Sequence, residues 1–235
     1  MAPAGFSLDD AISFGVDEFK KNKGFLIVLV LITESVDLSS DISKAFIEGY
    51  NPLLGIAVAV GAWFVATLLE LGKIKISLDF CDGIPAKLSD LFMCAPLLVK
   101  FILATIVYMI ISMIGFLLLV IPGIYWALRF QFYGYFIVEK DVGPIEALRL
   151  SYEITGGQAW SLFVFAIVCF LINLLGFICL VIGLLVSIPI TMLAHAYVYR
   201  ELLDRKSLFG YSGHARNSGG YSDYRPQESG LDADS

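Results

Sequence analysis

The chain has 235 residues, 58% of them hydrophobic and only 16% charged, with a formal net charge of −6 and a mean hydropathy of +0.80. A soluble domain averages about 45–50% apolar and about 25% charged residues, so composition places this chain far on the membrane side. The acidic balance gives no support to nucleic-acid binding, and the four cysteines form no CxxC pair, so neither cofactor nor metal site is implied.

Residues 7–22 begin with Ser7 as an N-cap and Asp9 and Asp10 in the first turn. Leu8, Ala11, Ile12, Gly15, Val16 and Phe19 then recur at three- and four-residue spacing. That pattern predicts an amphipathic helix over 1–23, lying on the membrane surface or packed on other protein. No small-x-small cleavage site follows the apolar run after Lys20, Lys21 and Lys23, so the run is expected to stay as a first membrane helix.

Three runs, 49–69, 101–128 and 154–199, contain no Asp, Glu, Lys or Arg. About 20 such residues cross a hydrocarbon core of about 30 Å, and the last run suffices for two crossings. The predicted crossings are Gly24–Val36, borrowing flanks up to Ser43, then Pro52–Gly72, Ala95–Val120, Ile124–Val138, Trp160–Ile182 and Leu184–Tyr199. Pro122-Gly123 is expected to reverse the chain between the third and fourth. Amphipathic segments near 84–94 and 143–157 fill the long connections, the latter opened by Gly143-Pro144. From 207 to 235 the chain is rich in Gly, Ser, Tyr and acid and is expected to be a disordered tail.

Gly115-Phe-Leu-Leu-Leu-Val-Ile-Pro122 aligns with Gly176-Phe-Ile-Cys-Leu-Val-Ile-Gly183 at an offset of 61. The expected fold is therefore all-α: a polytopic membrane protein of six transmembrane helices in three hairpins, each preceded by an amphipathic surface helix. Lys20, Lys21, Lys23, Lys73, Lys75, Lys87, Lys100, Lys140, Arg149, Arg200, Arg205 and Lys206 then share one side, opposite Lys44. The positive-inside rule makes that side the cytoplasm, with both termini there and the protein in the cell's inner (cytoplasmic) membrane.

Val120-Ile-Pro-Gly-Ile124, Val138-Glu-Lys-Asp-Val-Gly143 and Glu146-Ala-Leu-Arg-Leu-Ser151-Tyr152 resemble a known pattern. They are similar to the YciC-type bacterial inner-membrane family and to the membrane domain of some glycerophosphoryl diester phosphodiesterases. The resemblance covers roughly 10–200 and implies a six-helix inner-membrane protein. It is not expected to carry the phosphodiesterase activity, which belongs to a separate soluble barrel with metal-binding acids and histidines that these 235 residues do not resemble.

The polar residues inside the apolar runs are the candidate sites. Arg129 lies seven residues past Pro122, roughly 10 Å below the outer surface, and an ionised arginine there needs a partner. Glu34, about 16 Å from the cytoplasmic face, is at a matching depth, so a Glu34–Arg129 pair is expected. Arg129 reads as a packing clamp or as a contact for a solute or lipid headgroup. Asn173 is placed to bond across helices, and His195 reads as an interface residue rather than a proton relay. No catalytic constellation appears, so no enzyme is expected. The functional expectation is a non-catalytic envelope-organising or membrane-assembly protein, and the alternative is a small-solute or anion transporter using Arg129. Membrane lipids are the expected partners, together with other membrane proteins or a second copy.

Overall fold

The computed structural model describes residues 6–48, 52–179 and 183–217, with side chains over 6–36, 53–179 and 183–206. Among them there is no strand. The helices are α1 (Leu8–Glu48), α2 (Pro52–Cys81), α3 (Leu98–Leu118), α4 (Val120–Phe130), α5 (Tyr133–Lys140), α6 (Pro144–Ile154), α7 (Ala159–Ile178) and α8 (Leu184–Asn217). Two 3₁₀ turns, Leu88–Phe92 and Ala95–Leu97, lead into α3. Leu53–Cys81, Leu88–Leu118 and Ala159–Ile178 are long and apolar enough to cross a membrane, which marks an all-helical membrane protein.

The amino-terminal amphipathic helix is not an isolated surface element. It forms the first part of α1 as far as a kink at Asn22 (φ −119°, ψ 25°) and packs on α8. Ala11 is fully buried, Phe6 meets Phe165 edge-on at 5.7 Å, and Phe14 meets Tyr197 at 5.1 Å. Gly15 permits the approach, because a Cβ there would fall 2.5 Å from the Ile190 carbonyl oxygen. Beyond the kink α1 runs on to Glu48, well past Val36; the side chains of 37–48, Lys44 included, lie outside the described residues.

α2 does not stop at Gly72 but continues for nine residues to Cys81. Leu71, Ile74, Ile76 and Leu78 give the extension buried faces, and Lys75 pairs with the buried Asp79 one turn on. Gly72 serves packing rather than termination: its Cα rests on the backbone of Leu91 in the first 3₁₀ turn. The amphipathic segment near 84–94 is reduced to that short turn, with Leu91 inward and Phe92 and Met93 exposed.

The reversal between α3 and α4 occurs at Leu119 (φ −167°, ψ 151°), three residues before the expected Pro122-Gly123. Pro122 instead sits in the first turn of α4, where a missing N–H costs nothing. Gly123 packs against Gly115 across the hairpin; a Cβ on Gly115 would lie 2.8 Å from the Gly123 Cα. The α7–α8 hairpin closes in the same way, Gly176 meeting Gly183. The fourth crossing expected over Ile124–Val138 is interrupted at Gln131–Phe132, which separates α4 from α5. α7 ends at Ile178, short of the expected Ile182; residues 180–182 lie outside the described residues. α8 extends as a helix to Asn217, and the rest of the expected tail, 218–235, also lies outside them.

The core gathers where these helices converge. Phe132, Phe136, Ile137, Ala147, Leu162, Phe165 and Tyr199 are all at or near full burial. Tyr199 stacks on Tyr135 at 5.0 Å and donates its hydroxyl to Glu139. Glu139 also pairs with Arg200, which reaches Asp82 at 2.6 Å, while Lys100 bonds Asp141 at 2.7 Å. These ion pairs tie the carboxy-terminal ends of α2 and α5 and the start of α3 to the middle of α8. Lipid is as apolar as these side chains, so close packing and internal polar bonds hold such a bundle, more than the expulsion of water.

Candidate functional site

The site is built around the break at Gln131–Phe132. A helix interruption frees backbone donors and acceptors, which in an apolar surrounding must be met by the protein itself. Ser151 of α6 does this directly. Its hydroxyl donates to the Arg129 carbonyl at 3.0 Å and accepts the Phe132 N–H at 3.1 Å, so one side chain satisfies both sides of the break. Thr155, just beyond α6, adds a second hydroxyl 3.1 Å from the same carbonyl.

The guanidinium of Arg129 then returns the bond to α6. Its Nη2 donates to the Tyr152 carbonyl at 2.5 Å, its Nε to Thr155 Oγ1 at 2.9 Å, and its Nη1 to the Tyr125 hydroxyl at 2.6 Å. The Tyr152 ring lies 3.8 Å from the guanidinium carbon, a cation–π distance, and Tyr125 lies at 5.5 Å. A cation at the carboxy-terminal end of a helix is also favoured by the helix dipole. Arg129 is only 6% exposed. The expected Glu34–Arg129 pair is not formed: Glu34 is exposed on α1, and α6 and Tyr125 take the guanidinium's bonds. An uncharged carbonyl and two hydroxyls replace the carboxylate, because helix ends supply acceptors that need no second buried charge.

Gln131 lies two residues on and faces the other way, since successive helical positions turn by about 100°. It opens on a cavity of about 370 Å³ between α2, α3, α5 and α8, also lined by Glu70, Lys73, Ser77, Tyr133, Thr191 and His195. A second cavity of about 300 Å³, lined by Trp63, Ala66 and Thr105, shares Glu70, Phe101 and Tyr133 with it. Glu70 and Lys73 pair at 3.0 Å, with the Glu70 side chain 53% exposed on the flank of α2.

The other sequence-predicted residues are held within the bundle. Asn173 donates to the Cys169 carbonyl at 3.0 Å and across to Thr191 Oγ1 at 3.3 Å, joining α7 to α8. His195 places Nδ1 2.8 Å from the Thr191 carbonyl and its ring 4.8 Å from Phe165, and it reaches the cavity. Gly143 is the extended N-cap of α6, with Pro144 at the first helical position. Among the described residues no group of three His, Cys, Asp or Glu side chains is placed to hold a metal ion. Sequence reasoning missed the cavity because Glu70 and Lys73 read as a helix end. The available signal was Gln131, two positions from Arg129 and so on the opposite face of one helix.

The model of one family, described as "Domain of unknown function (DUF7847)", matches residues 24–208, which span both sides of the break. The chain belongs to the DUF7847 family. It is similar to the uncharacterised protein Rv2560 of Mycobacterium tuberculosis (strain H37Rv), 27% identical over 227 aligned positions, covering 85% of this chain and 69% of the relative. The uncharacterised Mb2590 of Mycobacterium bovis matches with the same identity and coverage. No solved structure matches the chain.

Proposed function

We propose that this DUF7847 member is a non-catalytic protein of the inner (cytoplasmic) membrane that organises or assists other membrane components. One observation carries the reading: Arg129, the residue on which the alternative of an anion transporter rests, is committed to closing the bundle. An anion carried past it would have to displace Tyr125, Thr155 and the Tyr152 carbonyl from the guanidinium. Three of its five N–H groups are bonded, and a tyrosine ring lies against it.

In this reading six helical passes run as three hairpins, with both termini in the cytoplasm. The ion pairs joining Asp82, Lys100, Glu139, Asp141 and Arg200 support it, since they bring Lys100 and Arg200, two of the basic residues assigned to one side, to the same end of α5. The opposite turn supports it too: Leu117 to Ile121 is a wholly apolar stretch with Leu117 87% exposed, suited to contact with lipid. The glycine contacts at Gly115 and Gly176 favour two copies of one repeat unit. The YciC-type resemblance around Val120–Ile124 belongs to the same reading. The partners are membrane lipids, and other membrane proteins or a second copy; no nucleic acid is involved.

Reconstitution into liposomes tests the proposal. Anion flux should equal that of empty vesicles for both the native chain and Arg129→Gln. Native flux that is lost in Arg129→Gln would establish the transporter instead. Cysteines placed at Lys87 and Lys140 should label from the same face, and opposite faces would end the six-pass topology.

A further inference from the structure

The hydrogen-bonding capacity left in the cavity beside Gln131 is unevenly divided. The Gln131 amide nitrogen donates to the Leu128 carbonyl at 3.1 Å, which leaves its oxygen as an acceptor. His195 Nδ1 meets a carbonyl at 2.8 Å and must carry the proton, so Nε2 of the neutral ring is an acceptor. The Ser77 hydroxyl donates to the Lys73 carbonyl at 2.7 Å, and its remaining lone pair accepts. The Glu70 carboxylate is the fourth acceptor at the cavity and Lys73 its one cationic donor; the two pair at 3.0 Å, each with bonding capacity beyond that contact. The rings of Phe101 and Tyr133 stand beside them.

Such a lining is complementary to a zwitterion that pairs a phosphate with a primary ammonium. The phosphate would take Lys73, and the N–H groups of the ammonium would take Glu70, Gln131 and His195. The adjoining space presents Trp63, Ala66 and Phe101 beside the hydroxyls of Thr67 and Thr105 and opens beside the exposed Trp63 and Glu70, so the cleft reaches the flank of the bundle rather than one end. Glu70 closes the charge-free run 49–69 and Phe101 opens the run 101–128. The part of the first run that lies in α2, 52–69, rises about 27 Å, close to the thickness of a hydrocarbon core, which sets the polar end of the cleft at its boundary, where headgroups lie.

We infer that the cleft between α2, α3, α5 and α8 binds the headgroup of an ethanolamine phospholipid, with one acyl chain along Trp63. This stands independently of the scaffold reading, since a transporter could also hold such a lipid. The test is native mass spectrometry of the full chain in detergent, titrated with dioleoyl phosphatidylethanolamine, phosphatidylcholine or phosphatidylglycerol. One ethanolamine lipid should bind about tenfold more tightly than the other two, because choline cannot donate N–H bonds and glycerol carries no charge. Glu70→Gln should abolish that preference, and Gln131→Met should weaken it should Glu70→Gln not fold. Equal binding of the three lipids, or a preference surviving Glu70→Gln, overturns the inference. Soluble phosphoethanolamine should compete only weakly; displacement at equal molar concentration would show a soluble zwitterion to be the ligand and overturn the lipid assignment.

Discussion

Arg129 and Gln131 stand two residues apart and face opposite ways at one helix break, and their surroundings are opposites. Around Arg129, helix end, hydroxyls and tyrosine rings answer one another, and the side chain is almost wholly enclosed. Around Gln131, carboxylate, amide and imidazole border a cavity of about 370 Å³. A charge inside an apolar bundle is costly wherever it sits, but the cost is met in two ways. On one side each guanidinium nitrogen of Arg129 has a partner within the protein; on the other, acceptors border open space. A buried charge therefore points to function only when its partners are incomplete.

Removing the closed side should have the largest effect. Arg129→Ala deletes three hydrogen bonds from a charged donor and leaves the Tyr152 carbonyl only the Thr155 hydroxyl at 3.2 Å; a loss of about 3 kcal/mol is expected, read as a lower melting temperature in detergent. Ser151→Ala should cost about 1–2 kcal/mol in the same measurement, since it orphans the Phe132 N–H while Thr155 still serves the Arg129 carbonyl. A smaller effect belongs to the ion pair between Glu153 of α6 and Lys206 of α8. Bonds from Lys206 and Arg149 hold the Glu153 carboxyl below its ordinary value of 4.5. Its folded pKa is depressed, so its contribution is complete above about pH 4.5 and is lost as pH falls through the folded value. Melting between pH 6 and pH 4 should therefore fall slightly more for the native chain than for Lys206→Met. Glu34→Gln should change stability by no more than about 0.5 kcal/mol, because Glu34 is exposed and does not serve Arg129; a loss matching that of Arg129→Ala would reinstate the pair.

Much of this plan is legible in the residues. Charge-free runs announce the apolar helices, Gly143-Pro144 opens α6 where expected, and Arg129 and Ser151 stand out before any coordinates. What stays hidden depends on partners distant in the chain. Nothing local shows that α6 would place its last carbonyls against Arg129, so depth alone suggested Glu34. The Pro122-Gly123 pair resembles a turn, yet the turn falls at Leu119 because Gly123 is needed for contact with Gly115. Glu70 and Lys73 look like the end of a helix, and only the burial of Leu71, Ile74 and Leu78 shows why α2 carries on past them. The family match identifies kin and no activity, so function has to be reasoned from the two sides of the break.

The most direct measurement sets two variants against the native chain in one detergent, Arg129→Gln on the closed side and Glu70→Gln on the open side. Arg129→Gln should melt several degrees below the native protein, while Glu70→Gln melts with it. Native-like melting of Arg129→Gln would contradict the account, since the guanidinium would then not be what closes the bundle.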